Sequence, residues 1–291
     1  MSIVLQLLFN ISISSLLFGL IAASFSLIYN VTKISHLAHG GVVLAAGYIM
    51  FWLMNLGVPL WLTVILTLLI STFLGFSLNA LVYERLRKRQ KISIVSSLIA
   101  SIALLVLIQA VILALFKSRT KIIPLDIKSS LPLEIGGAFL TTWHLVIIGS
   151  SIIFLLALAF LLKKTKLGVA MRAVSDNEEV AEIIGINSKK IRSSAFVIGS
   201  FLAGVAGILA AVELNLDPNM GVIHAVTAFG RAVVGGIGSI PGALLGSFII
   251  ETGEHLGAWF WTSAYKQVIS FILVFVFLIW RPQGILGRKQ L

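Results

Sequence analysis

Residues 144–162 read HLVIIGSSIIFLLALAFLL, and residues 163–192 read KKTKLGVAMRAVSDNEEVAEIIGINSKKIR. The first stretch is apolar and long enough to cross a bilayer, which takes about 20 residues of helix. The second stretch is polar and carries seven basic residues. Apolar runs of similar length recur on both sides of it. We therefore expect residues 163–192 to form a compact charged loop outside the bilayer, in a chain that otherwise spans it.

The composition agrees with this interpretation. The chain is 58% hydrophobic and 11% charged, with a mean hydropathy of +1.06, whereas soluble proteins carry about 25% charged residues. The apolar runs are continuous rather than alternating, which excludes a transmembrane β-barrel. The net charge of +11 is best explained by basic residues that flank helices on the cytoplasmic side, and it does not indicate a nucleic-acid partner. The absence of cysteine excludes disulfides and thiolate chemistry.

Three basic clusters predict the topology, namely residues 84–91, 163–192 and 281–291. Placing all three inside predicts one all-α polytopic membrane domain over residues 1–291, with the N-terminus outside, the C-terminus inside and residues 117–142 external. It has about eight transmembrane helices plus a re-entrant half-helix. The predicted spans are residues 3–28, 37–56, 60–82, 94–116, 144–162, 194–214, 241–259 and 264–280.

The re-entrant half-helix is predicted from residues 221–234, which are apolar but short and run into a glycine-rich stretch. We expect a half-helix that enters from outside, a glycine break at membrane depth and a full helix returning from Pro241. Irregular backbone at depth needs protein or a water-filled cavity around it, so the break is a candidate lining of a translocation path. Dense packing within the subunit is the competing interpretation. The candidate path residues are His39, Gly40, Gly41, Phe229, Arg231, Gly235, Gly236, Gly238, Ser239 and Gly242.

Few polar residues interrupt the predicted spans. Arg231 is expected at depth on the half-helix, where a charge indicates a functional role and needs a partner or a water-filled cavity; snorkelling to a cytoplasmic cavity is the competing interpretation. Glu251, Glu254 and His255 are expected near the outer end of their helix, where water solvates them. His36 and His39 are interpreted as packing or interfacial residues, and we expect no metal site and no cofactor.

The charged loop is predicted to contain one short capped helix. Ser175 to Glu178 matches the capping-box pattern, with Ser175 as N-cap and Glu178 reaching back, and Gly185 ends the helix. So short a helix is marginal alone, and it carries one apolar stripe. We therefore expect it to dock either on its own membrane domain or on another protein, and favour another protein; an orientation flat on the lipid is disfavoured by its acids. The stripe consists of Val180, Ile183 and Ile184.

The chain has no G-x-x-x-x-G-K-[ST] phosphate loop, so we do not expect it to hydrolyse ATP by that route. It is predicted not to be an enzyme. A membrane protein that depends on a separate ATPase needs a surface on which that ATPase acts, and residues 163–192 are the best candidate.

Four motifs resemble one family, in order along nearly the whole chain. They are SHLAHGGVVLAAGYI from residue 35, AMRAVSDNEEVAEIIGINSKKIRSSAFVIGSFLAGVAGILAA from residue 170, TAFGRAVVGGIGSIPGALLGSFII from residue 227 and RPQGILG from residue 281. Together they resemble the permease subunits of branched-chain amino acid ABC importers, and are more similar to the shorter of the two permeases in such systems. Glu178 stands where the family commonly has proline, and His36 departs from the family's early motif.

The resemblance implies a permease for branched-chain or other small amino acids in a bacterial or archaeal plasma membrane. It implies four kinds of partner: a second permease subunit, two cytoplasmic ATPase subunits, an external or periplasmic solute-binding protein and the lipid bilayer. It also implies that residues 163–192 are a cytoplasmic coupling loop. The coupling residues carried over from the family are Arg172, Asp176, Asn177, Glu178, Ala181, Gly185 and Ile186.

Two alternatives remain open. Related permeases serve urea or short amides, and the motifs do not distinguish these substrates. A different class of protein, an autonomous channel or secondary transporter, would need an ion-coupling carboxylate inside the membrane. All eleven acids are expected in loops or near helix ends, which disfavours that class.

Overall fold

The computed structural model describes residues 2–89, 93–123, 125 and 133–287, and this part of the chain is predominantly helical. The predicted helical class is confirmed in the sense that helices predominate among the described residues. Parts of the first and last basic clusters and of the predicted external segment lie outside the described residues. The α-helices are α1 Ser2–Thr32, α2 Ala38–Asn55, α3 Leu60–Leu78, α4 Glu84–Arg89, α5 Ile94–Phe116, α6 Thr142–Lys164, α7 Lys166–Asp176, α8 Glu178–Ile183, α9 Ser188–Leu214, α10 Met220–Gly235, α11 Ile240–Phe260 and α12 Lys266–Trp280.

Shorter elements connect some of these helices. A π-helical turn, Asn79–Tyr83, joins α3 to α4 without interrupting the rod, and a 3₁₀ turn, Ser263–Tyr265, precedes α12. Strands β1 (Leu133–Ile135) and β2 (Ala138–Leu140) form an antiparallel hairpin before α6.

Seven helical segments among the described residues are long and apolar enough to cross a membrane. They correspond to α1, α2, α3 with α4, α5, α6, α9 and α12. Helices α10 and α11 form a bent pair with an angle of 109°, which raises the count to eight if the pair is one span. Each predicted span therefore coincides with a helix.

Helices α1, α2 and α9 form the centre of the bundle. About three quarters or more of the most apolar stretch of each is buried (78%, 72% and 83%), against 17% for α5 and 6% for α12. The central helices approach closely because they are rich in small residues. A side chain at Gly207 of α9, for example, would collide with the backbone carbonyl of Val43 in α2. The outer helices expose many apolar side chains on the outside of the bundle.

The charged segment 163–192 lies at one end of the bundle, which we call the loop end. There, Ser175 Oγ donates a hydrogen bond of 2.7 Å to Asn30 Oδ1 near the end of α1. The β1–β2 hairpin lies at the opposite end, where Phe139 N donates 2.7 Å to Gln6 Oε1 at the start of α1.

The break between α10 and α11 lies at the loop end of the bundle; that the break stands at membrane depth stays a prediction. Gly238 is adjacent to Asn30. The C-terminal segment joins it, because Ile285 N donates 3.0 Å to Val234 O and Leu286 N donates 2.9 Å to Gly235 O. Helix α10 has 16 residues, about 24 Å at 1.5 Å per residue, and it reaches this end before the chain turns.

Candidate functional site

The charged segment folds as two short helices, α7 and α8, with a sharp break between them. Asn177 makes this break with extended backbone angles (φ −155°, ψ 110°), and its Oδ1 accepts 3.1 Å from Val180 N. Asn177 is therefore the N-cap of α8. The prediction that Ser175 caps the helix and that Glu178 completes a capping box is wrong. Ser175 lies in the last turn of α7, with its hydroxyl bonded to α1.

Gly185 ends α8, as predicted. Its φ of +88° is in the left-handed region that glycine adopts without steric cost. The chain then folds back, since Ile186 N donates 2.9 Å to Ala181 O.

The Glu178 carboxylate binds two arginines from other helices. Its Oε1 pairs with Arg192 Nη1 of α9, and its Oε2 lies 3.2 Å from Arg87 Nη1 of α4. Arg192 also binds Glu84 through two parallel contacts, Nε–Oε1 at 2.8 Å and Nη2–Oε2 at 3.1 Å. The side chains of Arg192 and Glu84 are each only 7% exposed. Charge-assisted, two-point contacts of this kind are among the stronger and more directional hydrogen bonds in proteins.

These four charged residues, which we call the loop-end ion network, connect the loop to the membrane helices. Arg87 Nη2 also donates 2.9 Å to Thr32 O, the last residue of α1. Direct hydrogen bonds and ion pairs therefore join α8 and its network partners to α1, to the α3–α4 rod and to α9. Sequence reasoning missed Glu84, Arg87 and Arg192. The available signal was that Glu84 is the one acid within a run of five basic residues.

One face of α8 is apolar and uncovered by the rest of the described chain. Val180, Ile183 and Ile184 are 52%, 83% and 68% exposed. Ala181, on the opposite face, is buried in the chain itself. Its packing supports the helix from behind, so it does not reach the exposed face.

The remaining coupling residues differ in exposure. Asp176, Asn177, Gly185 and Arg172 are exposed, and Ile186 is half-buried. Arg172 Nη1 donates to the carbonyl of Leu162 at the end of α6, which holds α7 against that helix.

A second charged group lies inside the bundle. Arg231 of α10 is 1% exposed; it pairs with Glu251, lies 3.6 Å from Glu254 and has its guanidinium 4.3 Å from the centre of the Phe18 ring. We expected a buried Arg231 to have a partner or a water-filled cavity, and the structure shows carboxylate partners. The prediction that Glu251 is solvated near a helix end is wrong, because its side chain is 2% exposed. The bend between α10 and α11 places it beside Arg231.

The two histidines of the early motif are buried and contact polar groups of neighbouring helices. His39 Nε2 lies 2.7 Å from Ser24 Oγ of α1, and His36 Nδ1 lies 2.9 Å from Tyr83 Oη. Gly40 touches α10, where any side chain would collide with the carbonyl of Gly221.

The other candidate path residues pack mainly around α10 or its break. Gly41 faces α5, Phe229 makes an edge-to-face contact with Phe25 (6.0 Å), and the Ser239 hydroxyl caps α11 by accepting 3.1 Å from Gly242 N. A side chain at Gly235 would collide with the backbone of Gly242. Most of the predicted path residues thus lie on or next to α10 and its break, whereas Gly41 faces α5 and His39 contacts α1.

A model of the family "Branched-chain amino acid transport system / permease component" matches residues 7–278. The chain belongs to this family. The sequence-based resemblance is thereby confirmed. The charged loop and the candidate path residues near α10 thus belong to a transport permease.

Similar permeases come from bacteria and an archaeon. The permease is 29% identical to the high-affinity branched-chain amino acid transport system permease protein BraD of Pseudomonas aeruginosa, covering 94% of this chain and 92% of BraD. It is 30% identical to the corresponding LivH of Escherichia coli K12, covering 98% and 96%. A probable LivH from Methanocaldococcus jannaschii is 29% identical over 94% of this chain and 90% of its own length.

One solved structure shares the fold of the permease. PsaBC from Streptococcus pneumoniae in complex with Fab matches with a TM-score of 0.52 and 14% identity, covering 98% of this chain and 93% of that chain. At this identity the match supports the helical architecture alone.

Proposed function

We propose that this permease is a membrane-spanning subunit of an ATP-binding cassette importer for branched-chain amino acids. One observation carries the proposal: the exposed apolar face of α8 is attached through Glu178 to a buried ion network that reaches the membrane helices. The names of BraD and LivH support the substrate class.

In this proposal the face of α8 docks in a cleft of an ATPase subunit. An apolar patch on a short helix is stabilised when a partner buries it, since about 25 cal/mol is gained per Å² of apolar surface removed from water. Nucleotide-driven movement of the ATPase then displaces α8. The loop-end ion network transmits that displacement to α1, α4 and α9.

The translocation path lies along α10, against α2 on one side and α11 on the other. The path residues are small or apolar, and Arg231 is neutralised by its carboxylate partners. Such a surface passes a zwitterion with an apolar side chain without holding it tightly. Selectivity then resides mainly in an external solute-binding protein.

The assembly contains a second, longer permease, two cytoplasmic ATPase subunits and the solute-binding protein, in the plasma membrane of a bacterium or archaeon. The ATPase subunits carry the nucleotide chemistry. The competing channel or secondary-transporter class needs a free carboxylate in the membrane. Glu251 is buried there, but Arg231 occupies it.

Reconstitution of the complete importer in liposomes tests this function. Uptake of radiolabelled leucine should require ATP on the side of the membrane where the ATPase subunits are bound. Excess valine and isoleucine should inhibit this uptake, whereas urea and acetamide should not. Ile183→Asp should abolish ATP-dependent uptake because it places a charge on the docking face, whereas Ile183→Leu should retain it. Leucine uptake that proceeds without ATP, or full activity of Ile183→Asp, would refute the proposal.

A further inference from the structure

We infer that the permease binds an anionic phospholipid in a groove at the loop end, between α3, α7 and the start of α9. The groove has a volume of about 710 Å³ and adjoins a second cavity of about 240 Å³. The two cavities share Phe76, Lys189 and Ser193 in their walls. They therefore form one continuous surface depression, which we call the loop-end groove.

The side chains that α9 contributes to the groove change along the helix from charged to hydroxyl-bearing to apolar. The parts of a phospholipid molecule follow each other in the same order. Lys189 and Lys190 come first, Ser193 and Ser194 follow one turn later, and Val197 and Ile198 follow another turn later. Residues four apart lie on the same face of a helix. The three layers thus span about 12 Å at 1.5 Å per residue. Charge, hydroxyl and apolar layers match a phosphate headgroup, its glycerol esters and the beginning of its acyl chains.

The α3–α4 rod repeats this order in the same direction. Phe76, 40% exposed, lies in the deeper part, and Arg85 and Lys88 lie toward the loop end. Glu84 also lines the second cavity, but both of its carboxylate oxygens are bound by Arg192. The charge offered to a ligand is therefore positive, with four basic side chains at headgroup level.

The depth of the groove favours a lipid over a soluble subunit. Phe76, Val197 and Ile198 lie in helical segments that are long and apolar enough to cross the membrane. A cytoplasmic protein cannot reach these side chains through the headgroup layer, whereas an acyl chain is already there. Basic pockets between transmembrane helices at a membrane surface bind anionic headgroups.

Lipid titration of the purified full-length permease tests this site. Delipidated protein is mixed with dioleoyl phosphatidylglycerol or dioleoyl phosphatidylethanolamine, and bound lipid is counted by native mass spectrometry. We expect phosphatidylglycerol to be retained in preference. Lys189→Gln/Lys190→Gln should weaken its binding on the order of 30-fold, because each basic residue near an anionic headgroup contributes several-fold.

A matched variant separates the groove from general basic charge. Lys163→Gln/Lys164→Gln removes two exposed lysines from the same end of the bundle, and neither residue lines the groove. It should bind phosphatidylglycerol as the unchanged protein does. Equal weakening in both variants, equal retention of the two lipids, or displacement by 10 mM inorganic phosphate would overturn the inference.

One further outcome would assign the groove to a protein partner. If Lys189→Gln/Lys190→Gln binds phosphatidylglycerol normally but no longer copurifies with the ATPase subunits, the groove is a subunit contact and the lipid proposal is wrong. Retained copurification together with loss of phosphatidylglycerol supports it.

Discussion

Replacing Glu251 by Gln should destabilise the permease, because it leaves the buried guanidinium of Arg231 with a weaker partner. Both side chains are about 2% exposed or less. Breaking a buried ion pair by removing one partner costs about 3–5 kcal/mol. Arg231 keeps Glu254 at 3.6 Å as a second carboxylate, which places the expected cost near the lower end, about 3 kcal/mol.

Thermal unfolding in detergent measures this cost. A change of 1 kcal/mol shifts the midpoint by about 2–4 °C in chains of 150–250 residues, so Glu251→Gln should lower it by about 6–12 °C. Glu213→Gln is the matched control, because the Glu213 side chain is 26% exposed and pairs with His144 at 3.5 Å. An exposed pair is worth about 0–1 kcal/mol, so the control should shift the midpoint little.

The double variant Arg231→Met/Glu251→Met completes the test. It removes both charges and fills the space with apolar side chains, which is often neutral or stabilising for a buried pair. We expect it to be more stable than Glu251→Gln. If Glu251→Gln unfolds at the same temperature as the Glu213→Gln control, or if the double variant is the least stable of the three, the buried pair does not tie α10 to α11.

Three further predictions concern single positions. Arg192→Gln should lower leucine uptake per ATP hydrolysed more than Glu178→Gln does, because Arg192 makes three contacts to carboxylate oxygens where Glu178 makes two to arginines, and because Arg192 is the more buried; equal transport by both would refute the network's role. Gly236→Ala should destabilise by about 1–3 kcal/mol, since its φ is +107° and a side chain would collide with the C-terminal segment. Gly149→Ala, with nothing within 4 Å, should be neutral or slightly stabilising in the same unfolding assay. Asn177→Ala should cost about 1 kcal/mol through loss of the α8 cap, and an unchanged unfolding midpoint would contradict that role.

The helices could be predicted from the sequence because the bilayer sets their length and composition. Each predicted span falls on a helix, and the basic segment 163–192 forms a separate loop. Local sequence patterns were enough to predict these helices and this loop. They also placed Gly185 correctly at the end of α8, since a left-handed residue after a short helix favours glycine.

Pairings across the fold could not be predicted in this way. Two residues within the same short stretch, Ser175 and Asn177, are good helix caps. In the structure Asn177 is the cap, whereas the Ser175 hydroxyl is hydrogen-bonded to Asn30, 145 residues away. Likewise, Arg192 and Glu84 are 108 residues apart in sequence. Only the packed bundle brings them together.

Glu251 illustrates the same limit inside the membrane. Its position in the sequence suggested a helix end, and its pairing with Arg231 requires the 109° bend between α10 and α11. The glycine break was recognised from sequence, but its place at the loop end of the bundle was not. That place depends on contacts with Asn30 and with the C-terminal segment, which local patterns do not encode.

Site-specific labelling at Ile183 tests the central claim most directly. The chain has no cysteine, so Ile183→Cys introduces a single thiol. It lies on the apolar face of α8, at a residue that is 83% exposed. In the isolated permease it should react rapidly with an aqueous maleimide. In the assembled importer it should be protected and should cross-link to an ATPase subunit bearing a cysteine in its docking cleft. Equal labelling of the isolated permease and the assembled importer, with no cross-link in any nucleotide state, would contradict the account.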